Sequence, residues 1–125
     1  MGVSRTNQLP PDIQERLARL QQLQSTLQSL VIQKQRLELE QRETERALKT
    51  LEGIPPGTKV YRSVGAILVE RDRDEVISEL SERRDFLEMR SKVLSKQEEK
   101  TRERLDSLQK RLQQELNLQM GQGGP

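Results

Sequence analysis

From Ile13 to Leu51, and again from Ile77 to Leu112, apolar residues recur at three- and four-residue spacings, with polar residues at some turns of the pattern, between charged and amide side chains. That spacing lays one narrow stripe along a helix and predicts two long helices, at residues 10–53 and 72–119. In the first, heptad a positions fall at Ile13, Leu20, Leu27, Lys34, Gln41 and Leu48, and d positions at Arg16, Leu23, Leu30, Leu37, Thr44 and Leu51. Leu17 and Val31 widen the stripe. In the second, a falls at Ile77, Arg84, Ser91, Glu98, Leu105 and Leu112, and d at Leu80, Leu87, Leu94, Thr101, Leu108 and Glu115. Leu9-Pro10-Pro11-Asp12 suits a first helical turn, because proline tolerates that position and an acid complements the positive end of the helix dipole. Asp72-Arg73-Asp74-Glu75 resembles a capping box at the start of the second helix.

An antiparallel pair of such helices sets a of one against d of the other, so facing residue numbers have a constant sum. With Leu51 opposite Ile77, the scheme brings Leu48 to Leu80, Gln41 to Leu87, Lys34 to Leu94 and Leu30 to Glu98. Polar members nearly always meet apolar ones; only the layer of Thr44 and Arg84 has none, which suits a polar layer that fixes register. On the outer faces, Glu15/Arg19, Glu38/Arg42, Glu45/Lys49, Glu79/Arg83, Glu88/Lys92, Glu98/Arg102 and Asp106/Lys110 stand four apart, acid first. Each such pair adds about 0.2 to 0.5 kcal/mol and marks a solvated face.

Between the helices the texture changes. Gly53-Ile54-Pro55-Pro56-Gly57 breaks helix, and β-branched residues follow. Two strands are expected within residues 58–70, Lys59 to Ser63 and Ala66 to Glu70, with the turn at Val64-Gly65. Ala66-Ile67-Leu68-Val69 is apolar on both faces. A two-stranded hairpin is marginal alone in water and leaves both edges open, so this one is expected to pair with hairpins of other subunits.

Composition narrows the chemistry. The 125 residues are 34% charged and 31% hydrophobic with one Tyr, one Phe and no Trp, which favours stripes over a three-dimensional core. There is no Cys and no His, so a disulfide framework, the usual zinc ligands, a thiolate nucleophile and a Ser-His-Asp relay are all missing. Gly53-Ile54-Pro55-Pro56-Gly57-Thr58-Lys59 has the wrong glycine spacing for a phosphate loop. Asp72, Asp74 and Glu75 read as helix-start acids, not as a cation site. No enzyme, cofactor or metal is expected. The net charge of +2 comes from interspersed signs with no visible basic cluster, which speaks against nucleic acid as a partner. No stretch approaches the roughly 20 apolar residues of a membrane span and no signal pattern is visible at the N-terminus, so a cytoplasmic protein that does not enter the membrane is expected. The polar head, residues 1–9, and the Gly-rich tail, residues 120–125, are expected to be disordered around a single domain.

Taken together, helix, Val60-Tyr61-Arg62-Ser63-Val64-Gly65-Ala66-Ile67-Leu68-Val69, then helix, resembles the β-class subunits of prefoldin, especially the archaeal form. Leu20-Gln21-Gln22-Leu23-Gln24 and Val31-Ile32-Gln33-Lys34-Gln35 are similar to the same family. The ribbon is the specific part; heptads alone fit many coiled coils. The resemblance implies a mainly α fold, a long antiparallel two-helix coiled coil joined by one β-hairpin that assembles into an inter-subunit β-barrel. It implies a hexamer of two α-class and four β-class subunits, a chaperone that holds unfolded client proteins without ATP at its coiled-coil tips and delivers them to a group II chaperonin. Assembly then falls to Val60, Tyr61, Val64, Gly65, Ile67, Leu68 and Val69.

For client binding, Leu9, Ile13, Leu17, Leu20, Leu112, Leu116, Leu118 and Met120 near the free helix ends exceed what a two-helix seam covers, and terminal turns fray. Leu118 and Met120, past most pairing partners, are expected to be exposed. Two other readings remain open: an RNA-binding helical arm, which requires a basic face, and a coiled-coil scaffold or tether, for which the ribbon is only a docking knob.

Overall fold

A computed structural model describes the backbone of residues 9–122 and the side chains of residues 9–119. The elements run α1 (Pro11–Glu52), β1 (Lys59–Val64), β2 (Ile67–Asp72) and α2 (Arg73–Gln122). The second helix thus extends past the expected end at residue 119, and the hairpin runs two residues further than residue 70. Residues 1–8 of the expected head and 123–125 of the expected tail lie outside the described residues.

The start of α1 follows from its prolines. The Pro10 carbonyl accepts the amides of Ile13 (3.0 Å) and Gln14 (3.1 Å), and Gln14 Nε2 donates to the Leu9 carbonyl (2.8 Å). Pro11, which has no N–H to leave unpaired, occupies the first helical position. At the other end the Gly53 amide bonds back to Lys49 O and that of Ile54 to Leu51 O, closing the last turn. The chain then reverses at Pro55-Pro56-Gly57-Thr58, where Thr58 N donates to Pro55 O (3.3 Å) and Gly57 has φ +82°. Proline at the second position and a positive-φ glycine at the third are the marks of a type II turn.

Two compact units make up the chain. In the unit of residues 33–94, the helical segments bury Leu37, Leu48, Leu51, Leu87 and Leu94, and Thr44 with them. Glu40 on α1 accepts two hydrogen bonds from Arg83 on α2, and Arg73 Nε reaches Leu51 O, so the segments run antiparallel. In the other unit, residues 9–32 and 95–122, Ile13, Leu30 and Leu112 are buried with Thr101, whose hydroxyl donates to Gln97 O (2.7 Å). Arg16 there pairs with Glu115, again antiparallel.

Every a and d position of both helices is buried or half-buried, including the polar Arg16, Lys34, Gln41, Arg84, Ser91, Glu98 and Glu115. The heptad assignment therefore gives the covered faces correctly. The outer ion pairs fare less well. Among the described residues Glu98–Arg102 (3.7 Å) and Asp106–Lys110 (3.0 Å) close within the helix, whereas Glu79 and Arg83 each leave the other for a partner on a different element.

Candidate functional site

The hairpin pairs Lys59↔Asp72, Val60↔Arg71, Tyr61↔Glu70, Arg62↔Val69, Ser63↔Leu68 and Val64↔Ile67. Its turn is Gly65-Ala66, one residue later than the sequence suggested. Gly65 has φ +58° and, as for every non-glycine among the described residues, the φ of Ala66 is not positive, the sign pattern of a type II′ turn with glycine first, which matches the twist of the two strands. Both strands shift together, so each side chain keeps the face it was expected to have.

Opposed residues share a face, which divides the ribbon in two. One face carries Val60, Val64, Ile67 and Val69 with Arg62 and Arg71; the other carries Tyr61 and Leu68 with Lys59, Ser63, Glu70 and Asp72. Among the described residues little covers the apolar side chains of either face. Tyr61 is 64% exposed, Ile67 63%, Leu68 70%, Val64 50% and Val69 37%; of the apolar residues of the strands only Val60 is half-buried. The two-stranded sheet leaves the outer edge of each strand free of a strand partner. Gly65 at the tip has open space where a side chain would stand, so its conformation and not crowding favours glycine there.

The foot of the ribbon is fastened by ions. Glu79, on the second turn of α2, accepts a hydrogen bond from Arg71 of β2 and lies 3.5 Å from Arg62 of β1; Arg71 also lies 3.9 Å from Glu75. The bond from Arg71, backed by the charges of Arg71 and Arg62, holds the Glu79 carboxyl below the ordinary glutamate range, and the same bond raises Arg71. Arg73 joins three elements: its amide donates to Thr58 O (3.3 Å), its Nε to Leu51 O (2.9 Å) at the C-terminal end of α1, and its Nη1 meets Asp74 (2.8 Å). A cation is well placed where a helix leaves its carbonyls unpaired.

Helical spacing alone concealed these two residues. Glu79 reads as the partner of Arg83, and Arg73 as part of a cap. Strand pairing held the missing signal, because it puts Arg62 and Arg71 side by side on one face, a pair of like charges that calls for an acid.

The residues expected at the helix ends separate into groups. Ile13 and Leu112 are each 4% exposed; Leu9, Leu17, Leu20 and Leu116 are half-buried; Leu118 is 66% exposed. The side chain of Met120 lies outside the described residues. In the same unit a groove brings Arg16, Arg19, Arg104 and Arg111 together with Glu103, Leu23 and Leu108. The charges are therefore less evenly spread than the linear sequence suggested. The basic face is diluted, however, because Arg16 and Arg111 both turn to Glu115. In the linear sequence these four arginines stand apart between acids and amides, and the packing of the two helical segments brings them to one groove.

Two paired helices that bury their own seam, joined by a ribbon that leaves apolar residues on both faces and both edges open, define a subunit of a larger assembly. The comparisons with known proteins agree. A family model described as prefoldin subunit matches residues 14–119. The prefoldin subunit beta of Archaeoglobus fulgidus is 44% identical over 114 residues, covering 91% of this chain and 98% of the relative. That of Methanothrix thermoacetophila is 41% identical over 119 residues, covering 95% and 99%. The crystal structure of the prefoldin beta subunit from Thermococcus strain KS-1 superposes with a TM-score of 0.76 at 37% identity, covering 86% of this chain and 94% of that one. The chain belongs to the prefoldin subunit family.

Proposed function

We propose that this chain is a β-class subunit of a hetero-oligomeric, ATP-independent chaperone, which captures unfolded proteins and passes them to a group II chaperonin in the cytoplasm. The observation that carries the reading is the ribbon. Tyr61, Val64, Ile67 and Leu68 are half or more exposed on a two-stranded sheet with open edges, in a chain of the prefoldin family. Strands of neighbouring subunits, including two of the α class to four of this one, add to those edges and close β-barrels, with Val60, Tyr61, Val64, Gly65, Ile67, Leu68 and Val69 forming the contacts. Edge addition pairs the free backbone groups and covers the apolar faces at once.

Clients are held at the ends of the helices. Leu118, exposed near the end of α2, is the strongest contact there, joined by the half-buried Leu9, Leu17, Leu20 and Leu116 as terminal turns fray, and by Met120 two residues further along the same helix. Ile13 and Leu112 contribute when those turns open. Each contact is weak, and several subunits together gain by effective concentration.

The test is suppression of aggregation of a chemically denatured protein by the complex reconstituted from this chain and an α-class subunit, in the absence of nucleotide. Suppression that needs both subunits and survives nucleotide depletion is the expected result. A reconstituted complex that leaves aggregation unchanged overturns the reading. Removing the chain after Leu112 should weaken capture more than assembly; equal loss of both makes the helix ends purely structural.

A further inference from the structure

The outer face of α2 carries an apolar stripe that the seam, the ribbon and the helix ends do not account for. Phe86, Met89 and Val93 are 47%, 57% and 39% exposed, all on the side of the helix away from the buried Leu87 and Leu94. Their spacing, three and then four residues, places them in one row. One member is held in position. The Arg83 guanidinium lies 5.2 Å from the centre of the Phe86 ring, and Arg83 is itself anchored by two hydrogen bonds to Glu40 of α1, one of them 2.9 Å long. The cation covers part of the ring and fixes it, leaving the rest to solvent. Met89 beside it is unbranched and adapts to the shape of whatever it touches.

We propose that Phe86, Met89 and Val93 form a second client-binding surface, whose occupant is a short apolar segment of an unfolded polypeptide. The inference rests on the holdase reading and adds to it a site away from the helix ends. Size decides the occupant. Three partly exposed side chains offer on the order of 300 Å², against about 800 Å² per partner in a stable protein interface. A folded partner or a second copy of this chain needs more, whereas an unfolded segment gripped at several such places does not. A fixed aromatic ring beside a pliable methionine suits a binder that accepts many sequences.

The experiment uses the reconstituted complex and reduced, carboxymethylated ribonuclease A, which has no Trp, as a permanently unfolded probe. In Phe86→Gln/Met89→Gln/Val93→Gln, all three changes lie off the buried seam and keep good helix formers. The complex should retain its mass by light scattering while its affinity for the probe falls by about tenfold, as expected for several lost partial apolar contacts. Unchanged affinity overturns the proposal; loss of the complex also overturns it, by making the stripe a contact between subunits. Neither this chain nor the probe has Trp, so in a complex made with a Trp-free α-class subunit Phe86→Trp is the reporter. Its emission should move to shorter wavelength when the probe binds, and static emission with the probe bound contradicts the proposal. Should the unaltered complex fail to bind the probe at all, the holdase reading itself falls; a triple variant that binds as well as the unaltered complex overturns only the second surface.

Discussion

The seam and the ribbon use similar residues to opposite ends. Along the seam Leu48, Leu87 and Leu94 are no more than 3% exposed, and even Thr44 and Thr101 are buried. In the ribbon Ile67 and Leu68 are more than 60% exposed. Two helices satisfy their own backbone hydrogen bonds and need only cover a stripe, which each supplies for the other. Two strands satisfy only the inner half of theirs, and a single layer has no partner for either face. The seam is therefore covered within one chain, while the ribbon is left uncovered by it.

The sharpest way to break this contrast is a charge on the ribbon. Leu68→Asp or Ile67→Asp should abolish assembly with the α-class subunit while circular dichroism shows helicity almost unchanged, because a carboxylate closed into an inter-subunit sheet costs several kcal/mol. Light scattering that still shows the full complex would refute this. The converse change belongs in the seam. Leu87→Ala removes one of the most buried side chains and should lower unfolding stability by about 2 to 5 kcal/mol, read from denaturant melts of the helical signal.

Smaller effects are expected where the two regions join. Arg73→Ala leaves the Leu51 carbonyl without its charged donor and should cost about 1.5 to 3 kcal/mol in the same melts, with little change in helix content. The smallest effect is at Glu79, which is exposed. Its carboxyl is held below the ordinary glutamate range by Arg71 and Arg62, so its contribution is present at neutral pH and is lost as the pH falls through its lowered pKa. Protection of the β2 amides, taken as the exchange rate relative to that of an unstructured chain at the same pH, should fall on acidification of the wild-type chain, and should already be low at neutral pH in Glu79→Gln. Equal exchange in the two chains at neutral pH would show that the clasp does not hold the strand.

Local periodicity and local chemistry made the helices, the seam and the ribbon legible in the sequence. Every a and d position proved covered, because a heptad pattern needs no knowledge of the rest of the fold. The turn was placed one residue early, since Val64-Gly65 and Gly65-Ala66 both contain the required glycine and only the strand register distinguishes them. Long-range polar pairing was least legible. Arg83 reaches Glu40, 43 residues away, and Glu79 reaches two strands, although each has an ideal partner four residues along its own helix. The outer stripe of Phe86, Met89 and Val93 was present in the sequence, but a reading centred on the seam passes over apolar residues at outward positions.

Amide hydrogen exchange of β1 and β2, measured in the chain mixed with an α-class subunit and compared with Leu68→Asp mixed in the same way, tests the central claim most directly. If the ribbon is completed by other subunits, its outward-facing amides exchange slowly in the wild-type mixture and rapidly in the variant. Equal, rapid exchange in both would show that the exposed strands remain open in the assembly, and that its contacts lie elsewhere.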